Sequence, residues 1–300
     1  MHHRCPQFLP GNRQHGYFDM VSASEVINLR DTSARLRLAM IETHRRAGAG
    51  HLGSSLSIVE ALTVIFKNHF QWAKPHEEEW RGDRFVLSKG HAALGLYCLL
   101  CLEGRIDANR LATFGRNGSA LEPHPNETTE ASIHASTGSL GQGLSIGVGL
   151  ALGSRLRGTS DRTFVIIGDG EINEGQIWEA ARCAATLKLS NLIVILDDNQ
   201  MQQDGPTPDI MPVADAVTCW RAIGWHCLES DGHDCEQLAS AMQELIASPV
   251  EAPKLLRIRT VKGRGIYFLE GQTESHFPPP LSDDDFTLIQ YMITKESSHG

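Results

Sequence analysis

Three hundred residues, 41% of them apolar and 21% charged, make a chain with enough apolar surface for a sizeable core, which excludes disorder and fibre. With 27 Lys and Arg against 36 Asp and Glu, the net charge is −9, and no basic tract could track a phosphate backbone, so nucleic acid is not an expected partner. The longest apolar run, Ala92 to Leu102, is about half of what crosses a bilayer, and MHHRCPQFLP lacks the core of a secretory signal; together with an odd count of seven cysteines, this points to a soluble protein of the reducing cytoplasm.

Residues 1 to 20 lack periodicity and are expected to form an irregular extension, with residues 21 to 300 as a single domain. From Ser24, Val26, Leu29, Leu36 and Ile41 predict a helix that ends at the glycines of RRAGAGHLGSS, and a second helix is predicted over Ser57 to Phe70. Arg84 to Ser88 predicts a short buried strand opening through Lys89-Gly90-His91 into a helix over Ala92 to Leu102. Cys98 and Cys101 form a CxxC within that helix, and without a second ligand pair structural burial is favoured over zinc or redox chemistry. A polar loop from Gly115 to Ile133 leads to STGSLGQGLSIGVGLALG, a glycine-rich loop feeding a helix of small residues.

Thr163 to Ile167 is an unbroken apolar run ending in Gly168-Asp169-Gly170. Residues 174 to 188 have helical spacing, and Leu192 to Leu196 is a second such run ending in Asp197-Asp198-Asn199. The alternation continues with a helix around Ala214 to Ile223, a strand near Trp225 to Leu228, a helix over Cys235 to Ala247 and a strand over Leu255 to Thr260. Asp283-Asp284-Asp285 suits a helix N-cap and first turn. Unbroken strands joined by helices predict a doubly wound α/β fold, with a mainly parallel sheet and helices on both faces.

Ligands of such sheets bind beyond the carboxyl ends of the strands, so Asp169 and Asn199 are expected to face one another, about 5 Å apart if their strands are neighbours. Two hard oxygen donors suit Mg2+, with Ca2+ or Mn2+ as alternatives, and the flanking glycines suit a diphosphate carried by that cation. A tight structural turn is the plain alternative on this pattern alone. No GxxxxGK[ST] loop occurs, and the glycine spacing does not fit GxGxxG. Gly143-Leu144-Ser145-Ile146-Gly147 matches GxSxG formally, but in a helical segment rather than after a strand, which argues against a serine hydrolase.

Gly168-Asp169-Gly170 followed, after 28 residues, by Asn199 is similar to the diphosphate-binding signature of thiamine diphosphate enzymes. GDGEINEGQIWEAA with NLIVILDDNQMQQDG resembles transketolase in particular. GAGHLGSSLSIVEALTVIF and DRFVLSKGHAALGLY resemble the first two histidine motifs of that family, STGSLGQGLSIGVGLALG its loop over the thiazolium ring, and TVKGRGI the segment before its last histidine. The similarity runs over residues 24 to 276.

The resemblance implies thiamine diphosphate and Mg2+ as cofactors. It implies Asp169, Asn199 and the carbonyl of Met201 as metal ligands, His91 and Gly170 at the diphosphate, and Gly138, Ser139 and Leu140 along the cofactor's middle. Glu174 resembles a glutamate between two thiamine sites. His51, His124 and His276 resemble the histidines that meet sugar hydroxyls and exchange protons there, although EPHPNE and SHFPPP depart from the family's surroundings for the last two. The implied activity is transfer of a two-carbon ketol unit from a ketose to an aldose, with the cofactor as electron sink. Because a transketolase carries two further domains, the chain resembles the N-terminal subunit of a split enzyme, inactive alone and expected to form a heterotetramer with a C-terminal, pyrimidine-binding subunit. A dehydrogenase α subunit, a deoxyxylulose-phosphate synthase and a non-catalytic scaffold are the alternatives; the histidine set favours transketolase.

Overall fold

The computed structural model describes residues 21–73, 81–212 and 215–299. The extension expected over residues 1 to 20 lies outside them. Five strands, β1 (Arg84–Leu87), β2 (Thr163–Gly168), β3 (Leu192–Asp198), β4 (His226–Asp231) and β5 (Lys254–Arg259), form one sheet of order β1-β2-β3-β5-β4. All pairings are parallel. Parallel neighbours need crossover connections, which carry helices onto the faces of the sheet. Alternation within the strands shows both faces buried. Phe164, Ile166, Ile193, Ile195 and Leu256 join one apolar core, whereas Val165, Ile167, Val194, Leu196 and Leu255 join the other. Each such side chain contributes about 1.5–3 kcal/mol by leaving water.

The helices are α1 (Ala23–Ala47), α2 (Leu52–Leu56), α3 (Val59–Val64), α4 (Ala93–Leu102), α5 (Ala108–Leu111), α6 (Gln142–Leu156), α7 (Gly175–Thr186), α8 (Thr207–Ile210), α9 (Ala216–Ala222), α10 (Cys235–Ala247) and α11 (Asp283–His299). Leu36 and Met40 of α1, Leu62 of α3 and Met242 of α10 close the first core; Leu144 of α6, Ile177 of α7 and Trp220 of α9 close the second. Local chemistry sets the ends of α1, where Ser22 and Glu25 form a reciprocal capping box and Gly48 turns left-handed at φ 62°. At α11, Ser282 and Asp285 cap each other in the same way, as the acidic run predicts.

The helix predicted over Ser57 to Phe70 is in fact two pieces, α3 and a π-turn over Ile65–His69, and the short helix α2 precedes it. The break falls at Ser57, whose hydroxyl donates to Asp197 at 2.7 Å and to the Ser54 carbonyl at 3.0 Å. A partner so far along the chain leaves no trace in local periodicity. β4 runs on past Leu228 to Asp231 because an edge strand can turn polar side chains to solvent. Of the helix expected around Ala214 to Ile223, Ala214 lies outside the described residues.

Ser145 sits inside α6, not on a strand-to-helix elbow, so the formal GxSxG match has no catalytic geometry. Cys98 is buried in α4 with its thiol pushed up to about 12 by burial. Among the described residues no group of three His, Cys, Asp or Glu could hold a metal, and no helix is long and apolar enough to cross a membrane.

Candidate active site

β2 and β3 are neighbours, with Gly168 opposite Asp197 and the Asp169 N–H donating to the Asp197 carbonyl at 3.1 Å. Asp169 and Asn199 therefore emerge side by side at the carboxyl edge of the sheet, as the two apolar runs predict. One carboxylate oxygen of Asp169 accepts from the Gly170 N–H at 2.8 Å and the other from the Thr207 hydroxyl at 3.0 Å. The Asn199 side-chain amine donates to Asp197 at 3.0 Å, and its oxygen accepts from the Met201 N–H at 3.0 Å. That bond fixes the amide with its oxygen facing the Asn199–Met201 turn. Burial and the nearby Asp197 raise the Asp169 carboxyl to about 6, a strain that a bound cation would relieve.

Above this edge opens a cavity of about 490 Å³. Asp169, Gly170, Glu174, Asn199 and Met201 line it together with Gly138 and Leu140 of the glycine-rich loop. His51, His91, His124 and His276 line it as well, although they come from four segments spread over more than two hundred residues. The ring of His51 lies 5.5 Å from that of His91, 5.6 Å from His124 and 4.8 Å from His276. Ser139 alone of the expected set does not line the cavity; it is exposed between Gly138 and Leu140. The glycine-rich loop reaches the site because Gly90, next to His91, has no side chain: a Cβ there would lie 2.7 Å from the Gly138 nitrogen.

Burial governs the charge of these rings. It lowers His51, with help from His124, to about 4, and His276, with help from Lys262, to about 4. His91 falls well below its ordinary value through burial and Lys89, and burial also lowers His124. All four are neutral at pH 7, so each has one donor and one acceptor nitrogen. Phe277, 64% exposed, packs its ring 4.7 Å from both His51 and His276 at the outer side of the cluster.

Four further residues escape the sequence patterns. Lys89 and Lys262, only 1% and 2% exposed, both line the cavity, and burial with Lys89 nearby lowers the Lys262 ammonium to about 8. Asp197 is the counter-charge of Lys89 and also accepts from Ser57 and Thr260; burial alone would raise its carboxyl, but Lys89 holds it below the ordinary range. Glu171 accepts from Ser88 and from the N–H groups of Gly141 at 2.8 Å and Gly168 at 3.1 Å, tying β1, the glycine-rich loop and β2 together. A lysine just past the end of a predicted strand was the available signal for Lys89 and Lys262 alike. Two buried cations beside a hard-oxygen pair suit a polyanion that brings its own metal. Among the described residues the buried His51 Nδ1, His276 Nδ1, Asn173 Nδ2 and Gln202 Nε2 have no hydrogen-bond partner, and such groups cost about 1–3 kcal/mol each until a polar ligand meets them.

Fold and cavity define a class: parallel α/β proteins with a polar ligand cavity at the carboxyl edge of adjacent strands. Comparison with known proteins narrows it. The family described as transketolase, thiamine diphosphate binding domain, matches residues 30–296, and the chain belongs to that family. It is 38% identical over 257 residues to a 6-deoxy-6-sulfo-D-fructose transketolase subunit of a Clostridium species, covering 85% of this chain and 92% of the relative. It is 35% identical over 259 residues to an apulose-4-phosphate transketolase subunit of Phocaeicola vulgatus, covering 86% and 91%. Human transketolase is 36% identical over 271 residues, which are 90% of this chain but 43% of the human one. Among solved structures, a transketolase variant from Pichia stipitis superposes with a TM-score of 0.81 at 31% identity, over 90% of this chain and 40% of that one. Transketolase from Campylobacter jejuni gives 0.79 at 26% identity, over 93% and 43%.

Proposed function

We propose that this chain is the cofactor-binding subunit of a two-chain transketolase, which moves a two-carbon ketol unit from a ketose to an aldose only with a separate C-terminal subunit, in a heterotetramer. One observation carries this: the alignment takes in 92% and 91% of two relatives named as subunits, but 43% of human transketolase. The cavity supports it. Exposed Glu174, Ile210 and Met211 edge its mouth, an apolar and acidic rim suited to closure by a second polypeptide. The two relatives are named for a sulfonated and a phosphorylated sugar, which favours a donor ketose with an anionic end. Free thiols at the described cysteines fit a cytoplasmic enzyme.

Bound thiamine diphosphate supplies the electron sink that lets the ketose C2–C3 bond break. Asp169, Asn199 and the Met201 carbonyl hold its Mg2+, while Lys89, Lys262, His91 and Gly170 face its diphosphate. Gly138 and Leu140 flank its middle. His51 and His276, neutral and with an Nδ1 unpartnered among the described residues, take a hydroxyl proton from the donor sugar and return it to the product, and His124 meets a further hydroxyl.

The test is turnover of a ketose donor by this chain, by a candidate C-terminal subunit from the same genome, and by the mixture. Only the mixture is expected to be active. Asp169→Ala or Asn199→Ala in the mixture is expected to abolish Mg2+-dependent retention of thiamine diphosphate. Turnover by this chain alone would overturn the two-chain assignment, and unchanged retention would overturn the metal ligands.

A further inference from the structure

Behind Lys262 lies a buried ionic cluster that none of the chemistry above uses. Glu60 on α3 accepts from Arg37 on α1, and its second oxygen lies 3.0 Å from His233 Nδ1. Burial would raise the Glu60 carboxyl, but Arg37 and His233 hold it at about 2. His233 Nε2 accepts the backbone N–H of Val261 at 2.8 Å, so Nδ1 carries the proton and donates to Glu60. Arg37 donates a second time, through Nε, to the carbonyl of Arg264 at 3.1 Å. These two contacts grip one turn on either side of Lys262. The grip is close: a Cβ on Gly265 would lie 2.4 Å from Arg37 Cδ. Buried ion pairs seldom stabilise a fold more than apolar packing of the same volume, which argues for a geometric role.

We propose that Arg37, Glu60 and His233 are positioning residues for Lys262: they hold the turn from Val261 to Arg264 so that the buried ammonium faces the anionic end of the ligand in the cavity. The identity of that ligand rests on the function proposed above. The chain of contacts is continuous: Glu60 joins Arg37 to His233, these two reach the turn at Arg264 and Val261, and Lys262 Nζ donates to the Gln202 carbonyl at 2.9 Å beside the Asn199–Met201 segment.

The experiment titrates the two-chain enzyme with thiamine diphosphate in Mg2+. H233A is expected to raise the half-saturating cofactor concentration about tenfold while kcat at saturating cofactor stays within about twofold. H233Q, whose amide oxygen can take the Val261 N–H, is expected to recover most of the loss. H233N, which keeps a donor to Glu60 but does not reach Val261, is expected to behave as H233A and serves if the alanine variant does not fold. K262M raises the same concentration, and adding H233A to it is expected to bring no further rise. An unchanged half-saturation in H233A and H233N, or effects of H233A and K262M that multiply, would overturn the inference. Inorganic pyrophosphate with Mg2+, titrated into this chain alone, separates the two proposals. Wild-type binding weakened in H233A but without turnover in the mixture sinks the function and keeps the positioning; pyrophosphate affinity unchanged in H233A sinks the positioning whatever the turnover.

Discussion

Asp197 shows how much one side chain can organise. Fully buried, it accepts from Lys89, Ser57, Thr260 and the Asn199 amide, and so joins β1, the α2–α3 break, the end of β5 and a candidate metal ligand. Removing its charge leaves the Lys89 ammonium buried without its counter-ion, a defect that costs about 3–5 kcal/mol. Asp197→Asn is therefore expected to lose about that much unfolding free energy in urea denaturation. A nearly unchanged midpoint would mean that Lys89 finds another partner. The sequence places Asp197, Asp198 and Asn199 together at the end of an apolar run and singles out Asn199, but gives no role to the two aspartates. Their separation is three-dimensional: Asp197 turns inward to Lys89, Asp198 pairs with Arg257 at 2.6 Å, and Asn199 faces the cavity.

Among the elements, α6 depends on small side chains at two positions, Gly143 and Gly147. A Cβ on Gly143 would lie 2.6 Å from Ser88 Cα, which is backbone and cannot yield, whereas one on Gly149 meets nothing within 4 Å among the described residues. Gly143→Ala is expected to destabilise by about 1–3 kcal/mol through overpacking, and Gly149→Ala to stabilise by up to about 1 kcal/mol through helix propensity. Thermal unfolding of both variants checks the pair, and equal shifts would show that α6 does not pack on Ser88 at Gly143. The strands were legible because a parallel strand buried on both faces is written as an unbroken apolar run. The fragmentation of Leu52 to His69 was not, since its cause, the pull of Asp197 on Ser57, spans 140 residues. Nor was the tight return after β3, where Gln200 takes a left-handed φ of 61° and Met201 bridges Pro206.

On the scale of the whole molecule, buried histidines dominate the response to acid. His51, His69, His134 and His276 are each lowered by burial to about 4, against an ordinary 6.5. Between those values the unfolded chain binds more protons than the folded one, so stability is full above pH 6.5 and falls as pH drops toward 4. Asp169, raised by burial to about 6, and Glu171, also raised by burial, oppose this, but they are two groups against at least six, since His91 and His124 are lowered as well. Unfolding near pH 5.5 is expected to take up protons, measured by calorimetry in buffers of different ionisation enthalpy. Proton release there would contradict the assignment of neutral histidines.

Exposed Glu174, Ile210 and Met211 edge the cavity, with exposed Phe277 against His51 and His276, and on the proposed two-chain reading a second polypeptide builds the missing wall. Filling and closing such a pocket share one free energy, so whatever tightens the grip on the cofactor tightens the grip on the companion by the same factor. On the proposed two-chain reading, surplus copies of this chain would hold the vitamin-derived cofactor less tightly and turn nothing over, which favours matched synthesis of both.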